Sequence, residues 1–356
     1  MTCCRIHTYS AMIVALMTQK RPTSFDIAAL AGVSQPTVSR ALSGSASVSE
    51  DTRRRVLDAA EQLNYKVDKN ASGLRRQQSK TLALLFFEES PGAALLNPFY
   101  LSLVGPMVRR CAELGYDLLI SIQQLSSDWH VEYEDSRKAD GIILLGYGDY
   151  LEYRPRLEQL VASGAHFVRW GAPGEGALGT TVSSDNEQGG FDATTHLLQQ
   201  GRRRIAFIGT AGAGYPEVHE RWRGYCRALR AAGLEADEAL RVDAAPDEGE
   251  GRAAAEQLLA RGVDFDSVFA ASDVAAVGAM HALQHAGRSV PETAVVGFDD
   301  IAAASLASPS LTTITQDPRK AGEALVDTLI ESIEAGSATS RVLPVRLTVR
   351  ESSLSR

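Results

Sequence analysis

The run Ser24–Leu42, SFDIAALAGVSQPTVSRAL, leaves this chain little choice of local fold. It predicts two short helices around a tight corner. Ser24 can cap the first, its hydroxyl accepting from an unpaired first-turn N–H. Ile27, Leu30 and Ala31 recur at i, i+3 and i+4 and form one apolar face. Gly32 stands where a helix ends in a left-handed residue. Ser34 then caps a second helix, with Pro36 in the first turn, where a missing N–H costs nothing. Val38 and Leu42 turn back to the shared core, which leaves Gln35, Thr37, Ser39 and Arg40 facing outward. An amide, two hydroxyls and a guanidinium are the groups that read base edges and grip phosphates in a major groove.

An ordinary surface helical hairpin would show a similar corner, and the next segment decides between the two. Val48-Ser49-Glu50-Asp51-Thr52 opens a third helix with a serine cap and an acidic first turn. Val56, Leu57, Ala60 and Leu63 form its inner face, and it ends near Asn64-Tyr65. Asn70-Ala71-Ser72-Gly73-Leu74-Arg75-Arg76 follows. On these motifs residues 23–76 resemble the DNA-binding headpiece and hinge of the LacI/GalR family of bacterial repressors. The resemblance implies that Ser24, Ser34, Gln35, Pro36, Thr37, Ser39 and Arg40 meet the major groove and its phosphates. It also implies that the hinge residues Ala71, Leu74 and Arg75 enter the minor groove, with Leu74 as an apolar wedge that kinks the duplex.

Charge is divided to match. The 356-residue chain carries a net −8, yet residues 17–80 hold 11 lysines and arginines against 6 acidic groups. The remainder is strongly acidic, so attraction for phosphate is confined to one end. Residues 1–22 read as an extension, disordered or over-called, with Met17 an alternative start. The apolar run Ala11–Met17 is short for a signal peptide and lacks a small-residue cleavage site. The expected layout is extension 1–22, headpiece 23–68, hinge helix and linker 69–79, and core 80–356. The spacing of the four cysteines suits neither a disulfide framework nor a zinc site, which points to a reducing, cytoplasmic setting.

Past the hinge, strands alternate with helices. Buried-strand runs stand at 81–87, 116–121, 139–146 and 165–170, and the cycle restarts after Val182 with runs at 204–209, 267–271 and 294–298. Helices of ten to fifteen residues between them predict doubly wound parallel sheets in two successive sets. The fold class is therefore α/β: a small all-α helix-turn-helix headpiece plus a two-subdomain doubly wound effector core. That core also resembles the family, and its periplasmic-binding-protein-like relatives, through NPFY at Asn97–Tyr100, ADGII at Ala139–Ile143 and SDN at Ser184–Asn186. ERWRGY at Glu220–Tyr225, the ASD segment at Ala271–Ala279, VPETAVVGFDD at Val290–Asp300 and PSLTTITQ at Pro309–Gln316 continue the match.

The resemblance implies ligand capture in a cleft, with Arg221 and Asp299 as the main polar contacts. A guanidinium fork and a carboxylate suit vicinal hydroxyls, which both donate and accept. A surface salt bridge for Arg221 and a helix-capping carboxylate for Asp299 are the plainer readings. Phe99 and Tyr100 match cleft-lining aromatics, with core packing the alternative, and Asp185 and Ser272 match cleft-facing positions. Two departures stand out: Ala244–Glu250 lacks an aromatic common in relatives, and Arg169-Trp170-Gly171 lacks a common aspartate. Trp170 is a candidate stacking face in compensation.

Catalytic readings fail. Gly146–Asp149 opens no dinucleotide fingerprint, and Gly209–Gly214 lacks the lysine and hydroxyl of a P-loop. Asp299-Asp300 has no companion metal ligands, and His130, His196 and His219 lie near no nucleophile pattern. The expected protein is a non-enzymatic homodimer without cofactor, metal or membrane attachment. It binds near-palindromic double-stranded operator DNA and a small effector, a mono- or oligosaccharide. A purine or phosphorylated metabolite as effector, or a sugar receptor without DNA activity, are the alternatives.

Overall fold

The computed structural model describes residues 22–42, 45–65, 78–87, 97–123, 129, 131–146, 149–173 and 177–354. They belong to two compact units that divide between residues 77 and 78.

The first unit contains α1 (Ser24–Ala31), α2 (Gln35–Leu42) and α3 (Glu50–Gln62). The first helix begins one residue earlier than the Ser24 cap requires. Thr23 is the cap, and the Asp26 carboxylate accepts from the Thr23 N–H at 2.7 Å. Ser24 is thereby released, and its hydroxyl accepts from Gln35 Nε2 at 3.1 Å. Gly32 is left-handed, with φ 64°. Ser34 Oγ accepts from the Thr37 N–H at 3.4 Å, and Ser49 Oγ does the same for Thr52. Ile27, Ala28, Ala31, Val38, Ala41, Val48, Val56, Ala59 and Ala60 make the core. Two expected core residues are not in it: Leu30 is 50% and Leu57 49% exposed. Three short helices meet along a narrow seam, and Ala28 on α1 and Ala59 on α3 take the inner positions instead.

The second unit is the α/β body. Its first subdomain runs β1 (Thr81–Phe87), α4 (Pro98–Glu113), β2 (Asp117–Gln123), β3 (Gly141–Leu145), α5 (Tyr150–Ser163), β4 (Phe167–Trp170) and β5 (Thr180–Ser184). The second runs α6 (Asn186–Gln199), β6 (Ile205–Ile208), α7 (Pro216–Ala231), β7 (Arg241–Val242), α8 (Glu248–Ala260), β8 (Ser267–Ala270), α9 (Asp273–His285), β9 (Ala294–Asp299), α10 (Ala302–Leu306) and β10 (Thr312–Thr315). Then α11 (Pro318–Ala335) and β11 (Arg341–Leu343) return to the first subdomain, and β12 (Arg346–Thr348) goes back to the second. The strand orders are β11-β5-β4-β3-β1-β2 and β12-β10-β9-β8-β6-β7, parallel throughout except for the antiparallel β10–β12 pair.

The chain crosses between subdomains three times, at residues 184–186, 315–318 and 343–346. The Asp185 N–H donates to the Leu343 carbonyl at 2.9 Å, tying the first crossing to the third. Side chains from α11 pack with β1 and β3, while Ala193 and Leu197 of α6 pack with β6 and β9. Among the described residues, no helix is long and apolar enough to cross a membrane.

Helices α6 and α7 approach more closely, at two points, than a methyl group allows. A Cβ on Gly190 of α6 would lie 2.1 Å from the Arg221 carbonyl oxygen, and one on Gly224 of α7 would lie 2.0 Å from that of Glu187. The helix carrying Arg221 is thus held backbone to backbone against the helix that starts at the first crossing.

Candidate functional site

In the headpiece, α2 presents exposed Pro36 and Arg40 and half-buried Gln35, Thr37 and Ser39, with Val38 and Ala41 turned inward. Ser34 and Thr37 share a hydroxyl–hydroxyl hydrogen bond of 2.8 Å. The Gln35–Ser24 bond joins the first turns of α1 and α2, so the amide expected to read bases is pre-oriented. The hinge residues Ala71, Leu74 and Arg75 lie outside the described residues, as does most of the 1–22 extension.

In the body, the expected ligand residues gather at the carboxyl ends of the strands, where open parallel sheets bind ligands. Trp170 ends β4, Asp185 follows β5, Ser272 follows β8 and Asp299 ends β9. Arg221 is buried, although a surface salt bridge was the plainer reading of the sequence. Its Nε donates to Asn186 Oδ1 at 2.8 Å and its Nη1 to the Ala271 carbonyl. Its guanidinium lies 3.7 Å from the centre of the Phe298 ring and 4.0 Å from Asp299 Oδ1. Asp299 accepts from Gln316 Nε2 at 2.6 Å. Gln316 Oε1 is buried and has no partner among the described residues.

Backbone strain is concentrated here. Asp299 and Asp300 sit at φ 122° and 60°, each of order 1–3 kcal/mol for a residue with a Cβ. Asp300 is fully engaged, accepting from Arg350 Nη2 at 2.6 Å and from Thr315 Oγ1 at 2.8 Å. Behind the site, buried Asp273 accepts from Thr313 Oγ1 and from the Ile301 N–H.

Burial raises Asp299 to about 6, against the pull of Arg221 and Gln316. Burial, and then the Asp299 carboxylate, hold Asp273 well above the usual range. Glu220 is pushed up to about 7 by burial and by Glu217. Burial, with Glu217 and Asp299, keeps the Tyr100 hydroxyl protonated far above neutrality. Tyr100 of the first subdomain thus feels the charges of Glu217, Asp299 and Arg221 of the second.

Phe99 and Trp170 lie in the apolar core of the first subdomain, with ring centres 5.5 Å apart and both nearly inaccessible. Phe99 also packs on Tyr100, with ring centres 5.7 Å apart. Asp185 caps α6, accepting from the Gln188 N–H at 3.0 Å, and Ser272 caps α9, accepting from Ala275 at 3.3 Å. Among the described residues, the Tyr150 N–H donates to the Gly214 carbonyl at 2.7 Å and the Ala172 N–H to Glu217 Oε1 at 2.9 Å, joining the subdomains at this end. His196 is packed, bonded to Ser353 Oγ at 2.7 Å, and His219 reaches the Ala211 carbonyl at 3.0 Å.

Sequence reasoning missed Asn186, Gln316 and Glu217. The first two close motifs quoted above, SDN and PSLTTITQ, and side-chain chemistry would have marked both as fixers of an arginine and a carboxylate. Glu217 carries no sequence signal, since only the meeting of the subdomains gives it a partner.

The model of bacterial regulatory proteins of the lacI family matches residues 25–68, and that of the periplasmic binding protein-like domain matches residues 194–353. The HTH-type transcriptional regulator CelR of Thermobifida fusca is 34% identical over 345 residues, covering 94% of this chain and 99% of that protein. The ribose operon repressor of Escherichia coli (strain K12) is 32% identical over 315 residues, covering 87% and 93%. A solved complex of transcriptional regulator CelR with cellobiose superposes with a TM-score of 0.70 at 34% identity, covering 93% of this chain and all of that one. The lac repressor dimer bound to operator and the anti-inducer ONPF shares the fold, with a TM-score of 0.80 at 24% identity over 94% and 100%.

Proposed function

The chain belongs to the lacI family of bacterial regulatory proteins, as a DNA-binding transcriptional regulator, and from that premise we propose that it is a repressor of carbohydrate-utilisation genes. In this reading a neutral mono- or oligosaccharide enters the body cleft and releases the protein from its operator. The observation that carries it is the buried set Arg221, Asn186, Asp299 and Gln316, which pairs donors with acceptors on adjoining elements and leaves Gln316 Oε1 unmet. Vicinal hydroxyls supply both a donor for that oxygen and an acceptor for the guanidinium.

Charge argues against a phosphorylated effector. Asp299 lies 4.0 Å from Arg221, Glu217 and Glu220 stand on the same helix as Arg221, and burial already disfavours the charge on Asp299 and Glu220. A phosphate dianion would add like charge to groups that barely tolerate their own. The similar regulator CelR, solved in complex with the disaccharide cellobiose, supports a neutral sugar as effector.

The working form is a homodimer in the cytoplasm, whose two headpieces read two halves of a near-palindrome. Ser24, Gln35, Thr37, Ser39 and Arg40 meet the major groove, and the segment with Ala71, Leu74 and Arg75 meets the minor groove. An apolar row supports pairing of two copies. Leu101, Val108 and Leu114 at α4 are substantially exposed, as are Leu119, Ile120 and Ile122 on edge strand β2, and a bare apolar edge is a liability unless covered. Effector closure of the cleft biases the dimer, and the coupling acts equally in both directions. Gel-shift titration on the protein's own upstream region, with and without glucose, ribose and cellobiose, tests the reading. No shifted band sinks the DNA role, and a band insensitive to every neutral sugar but released by a sugar phosphate sinks the effector class.

A further inference from the structure

Phe25 is 70% exposed, a large apolar side chain in solvent on the first turn of α1. The headpiece core beside it is complete without it, built from Ile27, Ala28, Ala31, Val38, Ala41, Val48, Val56, Ala59 and Ala60. Exposed Leu30 and Leu57 differ in position, since neither is on a first turn that touches α2. Phe25 follows Ser24, whose hydroxyl holds the Gln35 amide at 3.1 Å. Phe25 thus stands on the turn of α1 that is bonded to the opening turn of α2, the part of a recognition helix that meets base edges.

We propose that Phe25 is a base-reading residue: on operator DNA its ring covers the C5-methyl group of a thymine beside the bases reached from α2. The inference deepens the operator-binding reading and rests on it. Thymine is the base that offers an apolar handle in the major groove, and phenylalanine is one of the side chains that contact it. The arrangement divides the work within one half-site. Gln35 and Arg40 supply hydrogen bonds, while Phe25 supplies discrimination by methyl burial, which needs no polar partner and responds little to salt.

The test uses the full-length protein and a duplex enriched from a randomised library by that protein. Each thymine of one half-site is replaced singly by deoxyuridine, which removes the methyl and nothing else, and binding is followed by fluorescence anisotropy. At one thymine the wild type is expected to bind about fourfold more weakly, the effect of one buried methyl. F25A is expected to bind the thymine duplex more weakly and to lose nothing further on the uracil one, whereas F25L retains part of the methyl effect. Wild-type indifference at every thymine, or an undiminished methyl effect in F25A, overturns the proposal while leaving the operator role intact. Failure of the library to enrich any sequence removes the operator reading and this proposal with it. The thermal midpoint of F25A is expected to match the wild type, and a clear drop would mean that Phe25 packs on its own chain, which also overturns the proposal.

Discussion

Replacing Arg221 by methionine keeps an unbranched stem and deletes a guanidinium with four defined neighbours. Asn186 Oδ1 loses a 2.8 Å donor, the Ala271 carbonyl loses its Nη1 donor, and the Phe298 face loses the cation 3.7 Å above it. Asp299 loses a positive charge 4.0 Å away. At an effective dielectric of about 20 that pair attracts by roughly 4 kcal/mol, before the cost of taking both charges out of water. Breaking a buried pair from one side costs about 3–5 kcal/mol, because the remaining charge is left unpaired. Urea unfolding of the ligand-free protein at pH 8 is expected to show a loss of that size. The loss also depends on pH. Arg221 lowers the Asp299 pKa, so the variant's carboxyl titrates above the wild-type value of about 6. Below pH 5 both proteins carry it neutral and the deficit shrinks; it grows as pH rises from 5 to 8 and the charge must form without its partner. Operator affinity in the absence of sugar stays near wild type, while sugar affinity falls by about 2–5 kcal/mol, giving a repressor that no longer lets go. A deficit under 1 kcal/mol that is flat with pH, together with unchanged sugar affinity, would refute both the burial and the role assigned to Arg221.

Asp299→Asn tests the same pair from the acid side. Its raised folded pKa means that wild-type stability conferred by this group is present below about pH 4 and lost on rising through 6, so the variant gains relative to wild type by up to about 3 kcal/mol across that window. Sugar binding by the wild type should strengthen over the same range as the carboxylate forms, and calorimetry on Asp299→Asn should show no such step. Gly190→Ala forces a methyl to 2.1 Å from the Arg221 carbonyl and is expected to cost about 1–3 kcal/mol by thermal denaturation, with weakened sugar binding. Arg40→Ala is expected to cost about 1–3 kcal/mol on operator DNA, and equal losses on operator and random duplex would identify a phosphate contact instead of a base contact.

The headpiece was legible because its information is local. Gly32 needs a left-handed φ, Pro36 needs a first turn, and Ser34 and Ser49 need an N–H to cap, and each finds it within three residues. Even so, Thr23 displaced Ser24 as the cap, since Asp26 stands three residues after Thr23 and closes a reciprocal pair. The alternation of strands and helices in the body was legible for the same reason, each apolar run setting its own period. The three crossings were not, because nothing at residue 185 says that α6 leaves the sheet of β5 for that of β9. From those crossings follow the features that make the site. Arg221 is buried by a glycine contact between α6 and α7, Gln316 is carried to Asp299 at the second crossing, and Glu217 meets Ala172 only where the two subdomains touch. Sequence supplied the side chains and their local geometry. Their neighbours, their burial and hence their protonation were set by contacts between residues far apart in the chain, 78 positions for Arg221 and Asp299, which only the folded chain brings within reach.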